Sequence, residues 1–219
     1  MNHIAKCLSC LYILNLLAAP CRAAPAVCTN NCHPFYFGLS GGYGATTWQG
    51  LVPSQKNQNV AMSMSTPFNV REGGAVWGLF LGYEFIPNFA LEGSYMRFQN
   101  ANVNFGSDSL FKFDYGASSL ITRTESTALM GKILLQIPHT EVRAYSSAGV
   151  AVTHRWDYIN NLYRVTPTFG FGANYNFTPR VMLELGGSFT AGYGESEIEP
   201  VNDYIPFLYA AFLRIAYRV

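Results

Sequence analysis

The chain has 219 residues, enough for one domain and too few for two ordinary ones. Charged residues make up only 12%, against 15% aromatics and 20 glycines, which excludes a disordered chain and suits no ordinary soluble domain. A formal net charge of +1 offers no basic field, so nucleic acid is not expected as a partner.

Residues 1–23 read as a secretory signal peptide. Lys6 and the free amine form the n-region, Leu8 to Ala19 a mostly apolar h-region, and small residues place cleavage after Ala23 or as late as Ala26. The h-region is too short for a permanent membrane helix, and no later stretch has 18 consecutive apolar residues. Pro20 before Cys21 departs from a lipoprotein signal, which wants a small residue there. Losing Lys6 and Arg22 leaves twelve of fourteen basic residues against thirteen acidic ones, a nearly neutral mature chain. Residues 24–33 form an expected N-terminal periplasmic segment. In it Cys28 and Cys32 stand four apart in an oxidising compartment, where a small disulfide loop is the expectation. A metal site is disfavoured, because only His33 is adjacent and a fourth ligand is missing.

From residue 34 to 219 the pattern has period two. Segment one sets Phe35, Phe37, Leu39 and Tyr43 against Tyr36, Gly38, Ser40, Gly42 and Gly44. Comparable alternation marks residues 75–85, 89–96, 128–136, 142–152, 166–177, 181–190 and 208–219, weakest over 142–152. Three connections are tight: Ile86-Pro87-Asn88, Pro138-His139-Thr140 and Thr178-Pro179-Arg180. Four are long and polar, near Ala45–Gly74, Gln99–Ser119, His154–Leu162 and Ala191–Asp203. Long and short alternate strictly, as in an outer-membrane barrel with short periplasmic turns, so both termini are expected on the periplasmic side. A ten-residue strand tilted about 45° covers roughly 23 Å, close to the apolar band of such barrels.

One face is almost purely Phe, Leu, Tyr, Val and Ile; the other is mainly Gly, Ser, Thr and Asn. The second face makes a poor solvent surface and a good crowded interior. Aromatics gather toward the strand ends. Tyr83, Phe85, Phe89, Tyr175, Phe177 and Tyr217 belong to one expected girdle, Tyr43, Trp77, Tyr95, Phe189 and Tyr209 to the other. The fold class is therefore all-β, an eight-stranded antiparallel up-and-down transmembrane β-barrel.

Two hairpins repeat a Tyr-x-Phe-x-Pro-x-x-x-Leu-Glu pattern, Tyr83 to Glu92 and Tyr175 to Glu184, and the last strand ends Tyr217-Arg218-Val219. With Phe-Gly-Phe-Gly-Ala-Asn-Tyr-Asn-Phe at 169–177, these resemble the small OmpA-like outer-membrane barrel family over residues 34–219. The family's final strand ends in an aromatic residue with Tyr two places earlier; Tyr217 fits and Val219 departs. The resemblance implies outer-membrane lipid and lipopolysaccharide around the barrel and assembly by the barrel-assembly machinery. It also implies contact with host or surface ligands through the outer loops. With the last barrel strand at the end of the sequence, the peptidoglycan-binding domain that some family members carry is not expected.

Inside so narrow a barrel, charges must pair. The inward candidates are Glu84, Glu92 and Glu184 against Lys132, Arg143, Arg164, Arg214 and Arg218, with the network centred on Glu92, Glu184, Lys132, Arg143 and Arg214. Such a network either plugs the barrel or, as in some members of the resembling family, switches partners to pass ions. Catalysis is not expected: His154, His139 and His33 lack a neighbouring Ser, and no phosphate loop or metal cluster is present, so no catalytic residue, metal or cofactor is assigned. The leading expectation is a non-enzymatic outer-membrane protein with a structural or surface-interaction role. A narrow gated ion pore and a soluble periplasmic ligand-binding barrel are the alternatives.

Overall fold

The computed structural model describes residues 34–48, 69–104, 118–158, 160–193 and 204–219. The expected signal peptide, Cys28, Cys32 and much of the long connections lie outside the described residues. Ten β-strands follow in chain order: β1 Phe35–Thr46, β2 Asn69–Arg71, β3 Gly73–Ile86, β4 Phe89–Arg97, β5 Ala101–Asn104, β6 Ser119–Gln136, β7 Val142–Trp156, β8 Asn161–Asn176, β9 Val181–Thr190 and β10 Leu208–Arg218.

Eight of them close a barrel in which each strand is antiparallel to both neighbours, in the circular order β1, β3, β4, β6, β7, β8, β9, β10. The seam joins the first strand to the last, with Phe37 opposite Tyr217 and Tyr43 opposite Ala211. Closure pairs the backbone of every barrel strand on both sides, which hydrocarbon demands. The short β2 and β5 continue β3 and β4 beyond small breaks and pair beside the far end of β6.

Side-chain parity follows the expected alternation, and the apolar face points outward. Leu39, Phe171 and Leu185 are 60%, 69% and 67% exposed, whereas Tyr36, Glu92 and Lys132 are each 1% exposed. An unbroken wall of exposed Leu, Phe, Val and Ile cannot face water, and hydrocarbon is its natural solvent. Aromatic rings band both ends of this wall. Tyr83 meets Phe85 edge-on and Phe85 meets Phe89 tilted near the tight turns, at 4.9 and 6.1 Å between centroids. Trp77 meets Tyr95 at 6.0 Å and Phe189 meets Tyr209 at 5.2 Å toward the other end.

The three tight turns stand where expected, Pro87-Asn88 being a two-residue link, and His139 takes a left-handed φ of 63°. Two expectations need correction. The strand expected from residue 128 begins at Ser119, and the connection expected to be long near His154–Leu162 is four residues, because β7 runs to Trp156 and β8 starts at Asn161. Both errors have one cause. Past the hydrocarbon both faces of these strands turn polar, as in Thr122, Arg123, Thr124 and Glu125 of β6, so the alternation disappears while backbone pairing continues.

The core lies inside the barrel. Tyr36, Phe80, Ala90, Leu134, Tyr145, Met182 and Ala216 pack near the turn end, and Val76, Met96, Phe98, Leu208, Ala210 and Phe212 nearer the loop end. Interior glycines make room for the large side chains. A Cβ on Gly82 would lie 2.3 Å from the Tyr36 ring, and one on Gly186 would lie 2.2 Å from the Tyr145 hydroxyl.

Candidate functional site

Apart from Arg164 of β8, whose guanidinium carbon lies 5.1 Å from the Tyr193 centroid, the charged residues of the inward face collect into three levels along the barrel. Nearest the turns, Glu84 of β3 receives Arg143 of β7 through both carboxylate oxygens, at 2.9 and 3.2 Å. Arg218 of β10 adds a third bond to the same carboxylate at 2.5 Å. Arg143 Nε also donates to Asn174 at 3.0 Å, and both guanidiniums rest against the Met182 sulfur. Two cations on one acid leave this level formally positive.

The middle level is a closed ring of four charges contributed by four strands. Arg214 Nη1 donates to Glu92 Oε1 at 2.7 Å and to Glu184 Oε1 at 3.0 Å. Lys132 Nζ bonds the other oxygen of each acid, Glu92 Oε2 at 3.2 Å and Glu184 Oε2. Each carboxylate thus bridges the same two cations, and the ring is formally neutral. Two phenols complete it: Tyr36 donates to Glu92 at 3.0 Å and Tyr145 to Glu184 at 2.8 Å. The cations also lie over aromatic faces, Lys132 3.8 Å from the Tyr145 centroid and Arg214 4.0 Å from Phe212. All four charged side chains are at most 3% exposed, so the ring replaces the hydration that the charges lost.

Beyond the ring the interior is lined by Ser94, Met96, Ser126, Thr168, Ser188 and Thr190, with a cavity of about 10 Å³, room for one water. A third level then closes the loop end. Arg155, 0% exposed, donates through Nε to Asp157 at 2.9 Å and through Nη1 to the Tyr204 carbonyl at 2.8 Å, with Nη2 at an ion-pair distance of 2.9 Å from the same carboxylate. Its guanidinium carbon lies 4.8 Å from the Trp48 centroid, and Trp48 packs edge-on to Tyr204. The Trp48 amide donates to Glu72 at 2.6 Å, Thr122 to Asp157 at 3.3 Å, and the Tyr204 hydroxyl to the Thr47 carbonyl.

The inward charges therefore meet, but not in one network. Arg143, grouped with Glu92 and Glu184 in the sequence reading, belongs to the Glu84 level instead. Its strand is displaced along the barrel by stagger, which sequence parity does not reveal. The phenols of Tyr36 and Tyr145 and the whole Arg155 level escaped sequence reasoning. A lone tyrosine on a face of Gly and Ser was the available signal for the former. The latter is assembled from connection residues that carry no periodicity. His154, weighed for catalysis, is held in a stack with Tyr163 at 4.0 Å and Trp156 at 4.8 Å and bonds Asn161 at 2.8 Å.

No protein-family model matches the chain, and no curated protein matches it significantly. Solved structures do. Neisserial surface protein A matches with a TM-score of 0.53 and 11% identity, over 84% of this chain and 97% of that one. OprG, an outer-membrane protein of Pseudomonas aeruginosa, matches with a TM-score of 0.51 and 12% identity, over 85% and 97%. At such identities the likeness establishes the fold, that of the eight-stranded outer-membrane barrels.

Proposed function

We propose that the protein is a non-enzymatic barrel of the bacterial outer membrane, with both termini periplasmic, whose work is done by its outer rim. The interior is plugged and serves as a rigid mount. One observation carries this reading: three successive levels of paired charge cross the barrel interior, and the cavity lined by Ser94, Met96 and Thr168 between two of them admits about one water. A ligand therefore has access to the rim and the outer wall but not to the interior. The rim is built on β6, β7 and β8, of 18, 15 and 16 residues, longer than the apolar band requires. Surface attachment or envelope integrity fits such a mount, and the Neisserial neighbour is by its name a surface protein. Membrane fractionation with gel mobility before and after boiling tests it. A heat-shifting species that stays with the outer membrane is expected, and a soluble periplasmic species without a shift would refute it.

A gated pore is the second reading, favoured by the ring, in which each acid already touches two cations and can trade one for the other. Planar-bilayer recordings decide: no openings from a heat-shifting sample are expected. Regular openings that change on Glu92→Gln would instead make the ring a gate.

A further inference from the structure

The outward faces of the eight barrel strands carry three charged side chains, Arg97 of β4 and Arg123 and Glu125 of β6, and all three adjoin. Every other Lys, Arg, Asp and Glu within those strands points inward. Segregation this complete sets the trio apart from an ordinary scatter of surface charge. We propose that this spot binds a lipid whose headgroup carries phosphate; the proposal rests on the lipid-facing reading of the wall.

Three features support it. The first is position. Arg123 lies twelve residues beyond Leu135 along β6, about 30 Å at a tilt near 40°, which is past a band about 25 Å tall. The second is charge. Arg97 Nη1 bonds Glu125 at 3.0 Å, which neutralises one guanidinium and leaves Arg123, exposed and without an ion pair among the described residues, as surplus. Both guanidinium carbons sit 5.5 Å from the Trp156 centroid, so one ring braces two forks. A braced fork loses little freedom on gripping two phosphate oxygens, an advantage an unsupported lysine lacks.

The third feature is the adjoining wall. An apolar groove lined by Leu39, Leu79, Leu81, Tyr95 and Thr127 ends one step below the trio, since Tyr95 and Thr127 face each other next to the Arg97–Glu125 pair. A groove for an acyl chain that ends under a net cationic, aromatic-braced patch is complementary to an anionic amphiphile at both ends.

The test uses the full folded chain in neutral detergent, with lipid A and its dephosphorylated form as probes and retained lipid read by native mass spectrometry. Heat-shifted gel mobility is checked first, and failure of the unsubstituted protein at that step counts against the membrane reading itself. Retention of lipid A is expected, falling about fivefold for Arg123→Gln and again for Arg97→Gln/Arg123→Gln. Arg180→Gln, which removes an exposed guanidinium at the turn end, is expected to leave retention unchanged, and the dephosphorylated lipid is expected to be lost. Undiminished retention by Arg123→Gln, equal retention of the dephosphorylated lipid, equal loss in Arg180→Gln, or displacement by inorganic phosphate would each overturn the proposal. Arg123 makes no ion pair among the described residues, so its substitution separates binding from folding.

Discussion

Lys132 shows what a buried charge costs when its partners stay behind. It touches both Glu92 and Glu184, whose remaining cation is Arg214, bonded to both through one nitrogen. Lys132→Met would leave two carboxylates sharing that nitrogen, and a loss of about 3–5 kcal/mol is expected. Urea titration of the folded fraction, read as heat-shifted gel mobility, measures it. Adding Glu184→Gln should recover part of the loss, because the residual charges again balance. Additive losses would show that the ring does not act as a unit. That these residues face inward was legible from parity alone, since Glu92, Glu184, Lys132 and Arg214 all lie on the Gly, Ser and Ala face. Their pairing was not. Residues three strands apart around the barrel, Lys132 with Glu184 and Arg214 with Glu92, meet through the accumulated stagger of the sheet, a quantity that no single strand encodes.

At the scale of elements, the loop end is held by a few side chains rather than by a continuous sheet. Trp48, Arg155, Asp157 and Tyr204 interlock across β1, β7 and the approach to β10. Burial pushes the Tyr204 phenol above its ordinary range, so folding favours its neutral form. That contribution is whole below about pH 10 and is lost as pH climbs through the raised value. In a Trp77→Phe/Trp156→Phe background, iodide quenching of Trp48 should therefore stay low at neutral pH and rise under alkali. Full quenching at neutral pH would mean that the level is open. Trp48, Arg155 and Asp157 fall in expected connections and Tyr204 between a connection and a strand, and contacts made there leave no period to read.

For the molecule as a whole, the outer wall decides whether the barrel belongs in lipid. Leu185, fifth of ten residues in β9 and 67% exposed, lies near mid-band. Leu185→Arg is expected to cost about 2–4 kcal/mol of folding stability in a bilayer, measured by urea titration in vesicles. An unchanged midpoint would place this face outside the hydrocarbon. The barrel class, the parity of its strands and the positions of its tight turns were legible because hydrocarbon imposes a strict period of two. Strand ends beyond the hydrocarbon were not, for the same reason: Thr122 to Glu125 pair as strand without any apolar rhythm.

The four-membered ring draws its members from β4, β6, β9 and β10, which span the chain from Glu92 to Arg214. A partly assembled sheet holding only β4 and β6 would offer Lys132 a single acid and leave the positions of Glu184 and Arg214 unfilled. Such a half-built wall would drag uncompensated charge toward hydrocarbon, so entry into the bilayer favours the last strand having met the first. The ring's charges thus balance only when all four strands stand in register, and a truncated or misregistered chain would carry an uncompensated charge in its wall.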